Sequence, residues 1–357
     1  MLLGAEFYHQ LLSPGQIQLS RELPILQNTV LGWIVSGKTQ NANAMIATCG
    51  IASEDSFENA IEQFWKVEEV DTHSKVLSRA EQQCEAQFTQ TTYQNATGRF
   101  IVRLPFINDR FALGDSKDIA TNRLLALERR LSRDSYLKRQ YVDFLDEYEK
   151  LGHMTEIDME RIMSPHYFIH HCVLKPDSTT TKLSVVFDAS SKTTSGQSLN
   201  DLLHIGPTVQ SELLSILLRF QLPRFVFTTD IEKMYRQMLV HPEDRQCQLI
   251  VWRNEPNQPI KYFELNTVTY GTTSAPYLAT KCLQALADDN MQNYRLGASA
   301  LKENFYVDEC LHGADSLRTL LETQSQFNKI LTASGFKLRF VSLLAVIFAV
   351  IRSCSFE

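Results

Sequence analysis

No C-x-x-C pair occurs in this chain, and its 7 cysteines, at positions 49, 84, 172, 247, 282, 310 and 354, are scattered and odd in number. That spacing speaks against a disulfide framework and for a reducing compartment. Positive charge is not in excess either, since 35 Lys and Arg against 41 Asp and Glu give a formal charge of −6. No global field would draw in a polyanion, so any such site must be local. Long apolar runs are also missing: "VSLLAVIFAVI" at 341–351 falls well short of the roughly 20 residues that a membrane-spanning helix needs. It reads as a buried strand or helix, and no membrane partner is expected. The start, "MLLGAEFYHQ", has no basic stretch ahead of its apolar residues and meets Glu6 early, so it is no secretory signal. The Asn95-Ala96-Thr97 sequon then reads as a chance match.

What is there suits a globular protein of more than one domain. The 357 residues, 44% of them hydrophobic, can fill ordinary cores. Residues 1–37 alternate short apolar and polar runs, punctuated by Pro14, Gly15, Pro24, Gly32 and Gly37, and predict small β structure. Residues 38–55 are small and polar and predict a linker. Helical periodicity dominates 56–158: "FENAIEQFWKVEEV" carries Phe57, Ile61 and Phe64 at helical spacing, and one long helix is predicted with Leu124, Leu127, Leu131 and Leu137 on one face, ended by Gly152. Its basic residues, Arg123 to Arg139, are interleaved with Glu128 and Asp134, which predicts a solvated, salt-bridged face.

From 159 to 339 strands alternate with helices. "YFIHHCVLK" and "LSVVFDAS" predict a hairpin, "CQLIVW" and "IKYFEL" a second strand pair, and "RFVFTTD" a strand. Helices are predicted from Val209 to Phe220, over "SAPYLATKCLQALADDN" and over "SLRTLLETQSQFNKILTASG". Such alternation predicts an α+β layering around one sheet.

Two adjacent acids, Asp308 and Glu309 in "ENFYVDECLHG", sit between apolar runs. Alone, they read as the solvated turn of a hairpin. A third acid, Asp230, ends the strand "RFVFTTD"; by itself it reads as a helix N-cap. If the two strands are neighbours, Asp230 and Asp308 meet over one end of the sheet, where carboxylates and substrate phosphates could complete octahedral magnesium shells. Between them, "YGTTSAP" sets Gly271 and Pro276 at a helix entrance, which is an ordinary first turn unless Gly271 faces a ligand. His166, His170, His171 and Cys172 suggest a metal site as well, but strand geometry would disperse them over two faces.

The order of "FTTDIEKMY", "YGTTSAP" and "YVDE" resembles motifs A, B and C of a reverse transcriptase. "KPDSTTTKLSVVFDASSKTTSGQSLNDLLHIGP", with "FWKVEEV", "GRFIVRLPF", "ALERRL" and "EYEKLGHM", is similar to the BEL/Pao type of retrotransposon Pol polyprotein. The resemblance implies incomplete fingers and palm over 159–339 without a thumb, a helical pre-polymerase segment over 56–158, and an atypical apolar tail over 340–357. Residues 1–37 resemble the C-terminal part of a retropepsin-like aspartic protease; no Asp-Thr-Gly or Asp-Ser-Gly precedes them, so no protease activity is expected. The continuation after "SGFKLR" is replaced, and the remaining polymerase, ribonuclease H and integrase regions are expected to be absent.

By that resemblance Asp230 and Asp308 ligate catalytic Mg2+, or alternatively Mn2+, and Glu309 takes the second acid position. Tyr235 gates against a ribose 2′-OH, and Lys182 is the cation near the triphosphate. The implied partners are an RNA or DNA template-primer and dNTPs, in a cytoplasmic particle or the nucleus. Two departures weigh on activity: Ser184 stands where relatives carry arginine, and Glu309 where they carry aspartate. Serine cannot replace a bidentate guanidinium. An added methylene displaces a carboxylate from a magnesium shell that tolerates little distortion. A catalytic polymerase fragment and a non-catalytic relic that binds nucleic acid at most therefore both stand.

Overall fold

The computed structural model describes residues 12–17, 25–30, 32–36, 77–158, 162, 165–174 and 183–345. The chain divides into two compact units, Met1–Ser74 and Lys75–Glu357. In the first, β1 (Leu12–Ile17), β2 (Ile25–Thr29) and β3 (Gly32–Ser36) form an antiparallel sheet in the order β1-β2-β3. The helix expected over Phe57–Val70 and the linker at 38–55 lie outside the described residues.

The second unit is a mixed α/β structure with one continuous hydrophobic core. Its first helix, α1 (Arg79–Thr91), opens on a capping box in which Ser78 Oγ accepts from Glu81 N at 3.3 Å and Glu81 Oε2 accepts from Ser78 N at 2.8 Å. Strands β4 (Tyr93–Gln94) and β5 (Phe100–Val102) follow.

The single long helix expected between residues 122 and 152 is two helices, α2 (Lys117–Leu131) and α3 (Ser135–Lys150). Asp134 causes the break. Its Oδ1 accepts from Leu137 N at 2.9 Å, capping a new helix before the old one can continue. The apolar stripe survives the corner, with Leu124, Leu127 and Leu131 buried on α2 and Leu137, Tyr141, Leu145 and Tyr148 buried on α3. The charged face is solvated as expected, but its ion pairs run to another part of the chain and not between its own interleaved residues: Arg253 holds Glu128 at 2.7 and 2.9 Å, and Lys138 meets Glu255 at 2.8 Å.

Three small sheets surround the core. Strand β6 (Met154–Glu156) pairs antiparallel with residues 263–265 farther along the chain, and β7 (Ile169–Leu174) pairs with β8 (Leu183–Asp188) as the expected hairpin. Helix α4 (Leu213–Gln221) is shorter than the stretch predicted from Val209. It precedes β9 (Phe225–Ile231), then β10 (Leu239–Val240), which pairs in parallel with β5. The short helix α5 (Pro242–Arg245) leads into β11 (Leu249–Trp252) and β12 (Lys261–Leu265), the second expected pair.

Helices α6 (Ala275–Asn290) and α7 (Arg295–Glu303), strands β13 (Phe305–Tyr306) and β14 (Glu309–Ala314), helix α8 (Leu317–Ala333) and strand β15 (Leu338–Ala345) complete the unit. The central sheet has the order β13-β14-β9-β15. Strand β15 takes in the start of the apolar run at 341–351, as the strand reading of that run expects. Among the described residues no helix is long and apolar enough to cross a membrane.

Candidate active site

Period-2 alternation in "RFVFTTD" decides which β9 side chains reach the site. Phe227, Thr229 and Ile231 are buried, whereas Thr228 and Asp230 are only half-buried on the opposite pleat. Phe227 meets Phe327 of α8 at 5.9 Å between ring centroids and His312 of β14 at 5.3 Å, so that face is helix-covered. On β14 the antiparallel register sets Glu309 directly opposite Asp230 and Cys310 opposite Thr229. Cross-strand partners share a face, so Asp230 and Glu309 share theirs.

Asp308 lies one residue away, in the turn that joins Tyr306 to Glu309. Its carbonyl accepts from Ile231 N at 2.9 Å, which ties the turn to the end of β9. Val307 has φ +56°, and Asp308 does not have positive φ, so the turn is of the II′ kind usually built on glycine. A β-branched residue there costs about 1–3 kcal/mol. The Val307 N–H donates to Gln210 Oε1 at 3.0 Å. At the other end of the hairpin Asn304 Nδ2 donates to His312 Nδ1 at 2.7 Å, and burial lowers the His312 pKa to about 4.

An open cleft of about 280 Å3 runs along Thr228, Thr229, Asp230, Glu309, Cys310 and Leu311. Among the described residues, none of the carboxylates of Asp230, Asp308 and Glu309 has an ion pair or side-chain hydrogen bond. Nor do three His, Cys, Asp or Glu side chains converge among the described residues as a ready-made metal cage. Magnesium asks for no such cage, because it is commonly held by one or two carboxylates with waters and substrate phosphates. The donors are hard oxygens. The neighbouring Cys310 thiol is buried, and that burial raises its pKa, so no thiolate favours a softer ion.

Beyond Asp230 the chain turns sharply at Lys233, in the left-handed region at φ +48°, into a 3-10 turn over Met234–Gln237. Arg99 fastens this turn, its Nε and Nη2 donating to Gln237 O at 3.0 Å and Arg236 O at 2.9 Å. Tyr235 therefore stands beside the acids, half-buried and edge-on to Tyr270 at 5.4 Å. Burial raises the Tyr235 pKa first, and the neighbouring Tyr270 and the Asp308 carboxylate raise it further. Tyr270 itself is 69% exposed, so its ring forms part of the open surface.

Gly271, next in the chain, has φ +100°, and a Cβ there would come within 3.3 Å of Phe187 O. Glycine is thus required by the backbone at this point. Asn200 clamps the same turn, donating through Nδ2 to Gly271 O at 3.0 Å and accepting at Oδ1 from Thr273 N at 2.9 Å. Sequence reasoning assigned no role to Asn200 or Gln210. Both stand among other polar residues, Asn200 near Ser198 and Asp201 and Gln210 beside Ser211 and Glu212, so the local sequence carried no signal for them. Lys182 lies outside the described residues. Ser184 is half-buried on β8, on the same pleat as Val186 and Asp188.

The second suggested metal group is otherwise engaged. His170 Nδ1 accepts from Tyr141 OH at 2.6 Å while Nε2 donates to Val251 O at 3.0 Å, and His166 Nδ1 bonds Cys247 O at 3.0 Å. His171 is exposed on the other face of β7.

No protein-family model and no curated protein matches this chain. It is similar to a solved structure of the foamy viral protease-reverse transcriptase dRH in complex with double-stranded DNA, at 17% identity and a TM-score of 0.43. That similarity covers 56% of this chain and 30% of the other, so the chain spans less than a third of that structure.

Proposed function

We propose that residues 159–339 are an incomplete fingers-and-palm fragment of an RNA-directed DNA polymerase from a BEL/Pao-type retrotransposon Pol polyprotein, preceded by a helical pre-polymerase segment over 56–158 and a retropepsin remnant over 1–37. The observation that carries this reading is the β9–β14 register, which pairs Asp230 with Glu309 and brings Asp308 to the end of the same two strands. Of the three motifs that suggest the family, this register draws together the first and the third, "FTTDIEKMY" and "YVDE".

In this reading Asp230 and Asp308 hold divalent cations, and Glu309 takes the second acid position. When bound, two such ions stabilise the charge of an in-line displacement at phosphorus. The protein's own part is placement. The open cleft along β9 and β14 leaves room for the primer 3′-hydroxyl and the α-phosphate of a dNTP. Tyr235, edge-on to Tyr270 and carried by the fastened 3-10 turn, would be the gate against a ribose 2′-OH in this reading. Gly271 and its Asn200 clamp offer bare backbone to a base pair, and Lys182 would meet the triphosphate. The primer is extended by one nucleotide, and pyrophosphate leaves.

A non-catalytic relic is the second reading, favoured by Glu309 and Ser184. Primer extension by the full chain on an RNA template, with Mg2+ and with Mn2+, decides between the two. We expect incorporation near background with Mg2+ and measurable with Mn2+, whose carboxylate complexes are generally stronger. Asp230→Asn and Asp308→Asn should each lower the Mn2+-supported rate by about 100-fold or more. Template binding with no incorporation under either ion would leave the relic reading. Incorporation indifferent to both substitutions would sink the assignment of the site.

A further inference from the structure

Of the groups near the acidic turn, Gln210 is the one whose position the reaction does not explain. It lies in the loop ahead of α4, far along the chain from the hairpin, yet its Oε1 receives the Val307 N–H at 3.0 Å. The direction is chemically determined, because a backbone amide can only donate and so turns the Gln210 carbonyl toward the turn. Val307 is also the residue held at φ +56°. A β-branched side chain in that region favours escape to extended backbone, which would swing the 307–308 peptide and Asp308 with it.

We propose that Gln210 is a positioning residue: its side-chain carbonyl straps the Val307 amide, holding the strained turn so that Asp308 faces Asp230. The loop is itself anchored, since Val209 packs on the core and Ile216 of α4 is fully buried. Two ties therefore hold the turn, Gln210 on the Val307 amide and Ile231 N on the Asp308 carbonyl. A neutral amide suits the position. Glutamate would supply the same acceptor but add a further negative charge beside Asp230, Asp308 and Glu309, whereas lysine or arginine would donate and neutralise the acids.

The proposal rests on reading these acids as a cation site, and its test separates the two claims. Hydrogen exchange of the Val307 amide reads the strap directly, and electron paramagnetic resonance of free Mn2+ reads affinity, both on the full chain. Gln210→Ala should speed Val307 exchange about tenfold and weaken Mn2+ binding about tenfold, with the thermal midpoint little changed. Gln210→Glu, which keeps the acceptor, should retain the protection. Gln210→Asn, too short to reach, repeats the test should the alanine variant fail to fold. Unchanged Val307 exchange in Gln210→Ala would overturn the strap, and a freed amide with unchanged Mn2+ affinity would overturn its positioning role. A wild-type chain that binds no Mn2+ would overturn the cation-site reading and the positioning role together, while amide exchange would still decide whether the strap exists.

Discussion

At the scale of single residues the site turns on one methylene. Glu309 stands directly across from Asp230, and its longer side chain sets its carboxylate farther from the strand than an aspartate would. In the proposed reading Glu309 would serve magnesium, which demands near-ideal octahedral geometry and dehydrates reluctantly, so the extra methylene would weigh most on that ion. Glu309→Asp should raise Mg2+-supported primer extension by about tenfold while changing the Mn2+-supported rate less, measured as the ratio of the two rates. An unchanged ratio would mean that the extra methylene is tolerated. Gly271 shows the opposite case, where two demands fall on one atom: the backbone at φ +100° excludes a side chain whether or not a ligand lies against it.

Between elements, a polar tie joins residues 99–104 to the short helix α5, which follows the 3-10 turn beyond Asp230. Asp244 of α5, 1% exposed at its side chain, takes Arg103 bidentately at 2.8 and 2.9 Å and also accepts Leu104 N at 3.0 Å. Together with the β5–β10 pairing, this fastens residues 99–104 to the stretch that leaves the 3-10 turn bearing Tyr235. Removing Asp244 leaves the buried Leu104 N–H without its acceptor, while Arg103, 28% exposed at its side chain, keeps Glu243 at 2.8 Å. Asp244→Ala should therefore cost about 2 kcal/mol in urea unfolding. Lys138→Ala, which breaks the exposed pair with Glu255, should cost less than about 1 kcal/mol. Equal costs would show that the Arg103–Asp244 tie is not what holds this segment. The segment expected to be a helical prelude thus supplies β4, β5 and β6 to the sheets of the same compact unit.

For the whole molecule, acid is the expected weakness. His170 is buried between Tyr141, Trp252 and Phe187, and burial lowers its pKa to about 4, although the bond to Val251 O opposes the shift. The folded state binds this proton less readily than the unfolded chain, whose histidines titrate near 6.5. Stability is therefore full above about pH 6.5 and falls as pH drops toward 4, by about 3 kcal/mol for this one group. Urea midpoints measured between pH 7 and 4 should trace that decline, and the slope should be shallower in His170→Asn. A flat profile would mean that His170 takes up its proton without disturbing the fold.

Local pattern made much of this protein legible before any coordinates. Alternation in "RFVFTTD" and "LSVVFDAS" announced the strands that form, and the helices after Pro276 and Ser316 follow from their apolar periodicity and entry residues. These features depend on neighbours a few positions away, so sequence alone determines them. The break at Asp134 was legible in principle, because a cap competes with helix continuation within one turn. Tertiary structure alone decided the pairing of Asp230 with Glu309, the clamp of Asn200 on Gly271 and the reach of Gln210 to Val307. Each joins residues distant in the chain through one or two hydrogen bonds or a strand register. Such contacts leave no period in the sequence, and they exist only once the common core has brought their elements together.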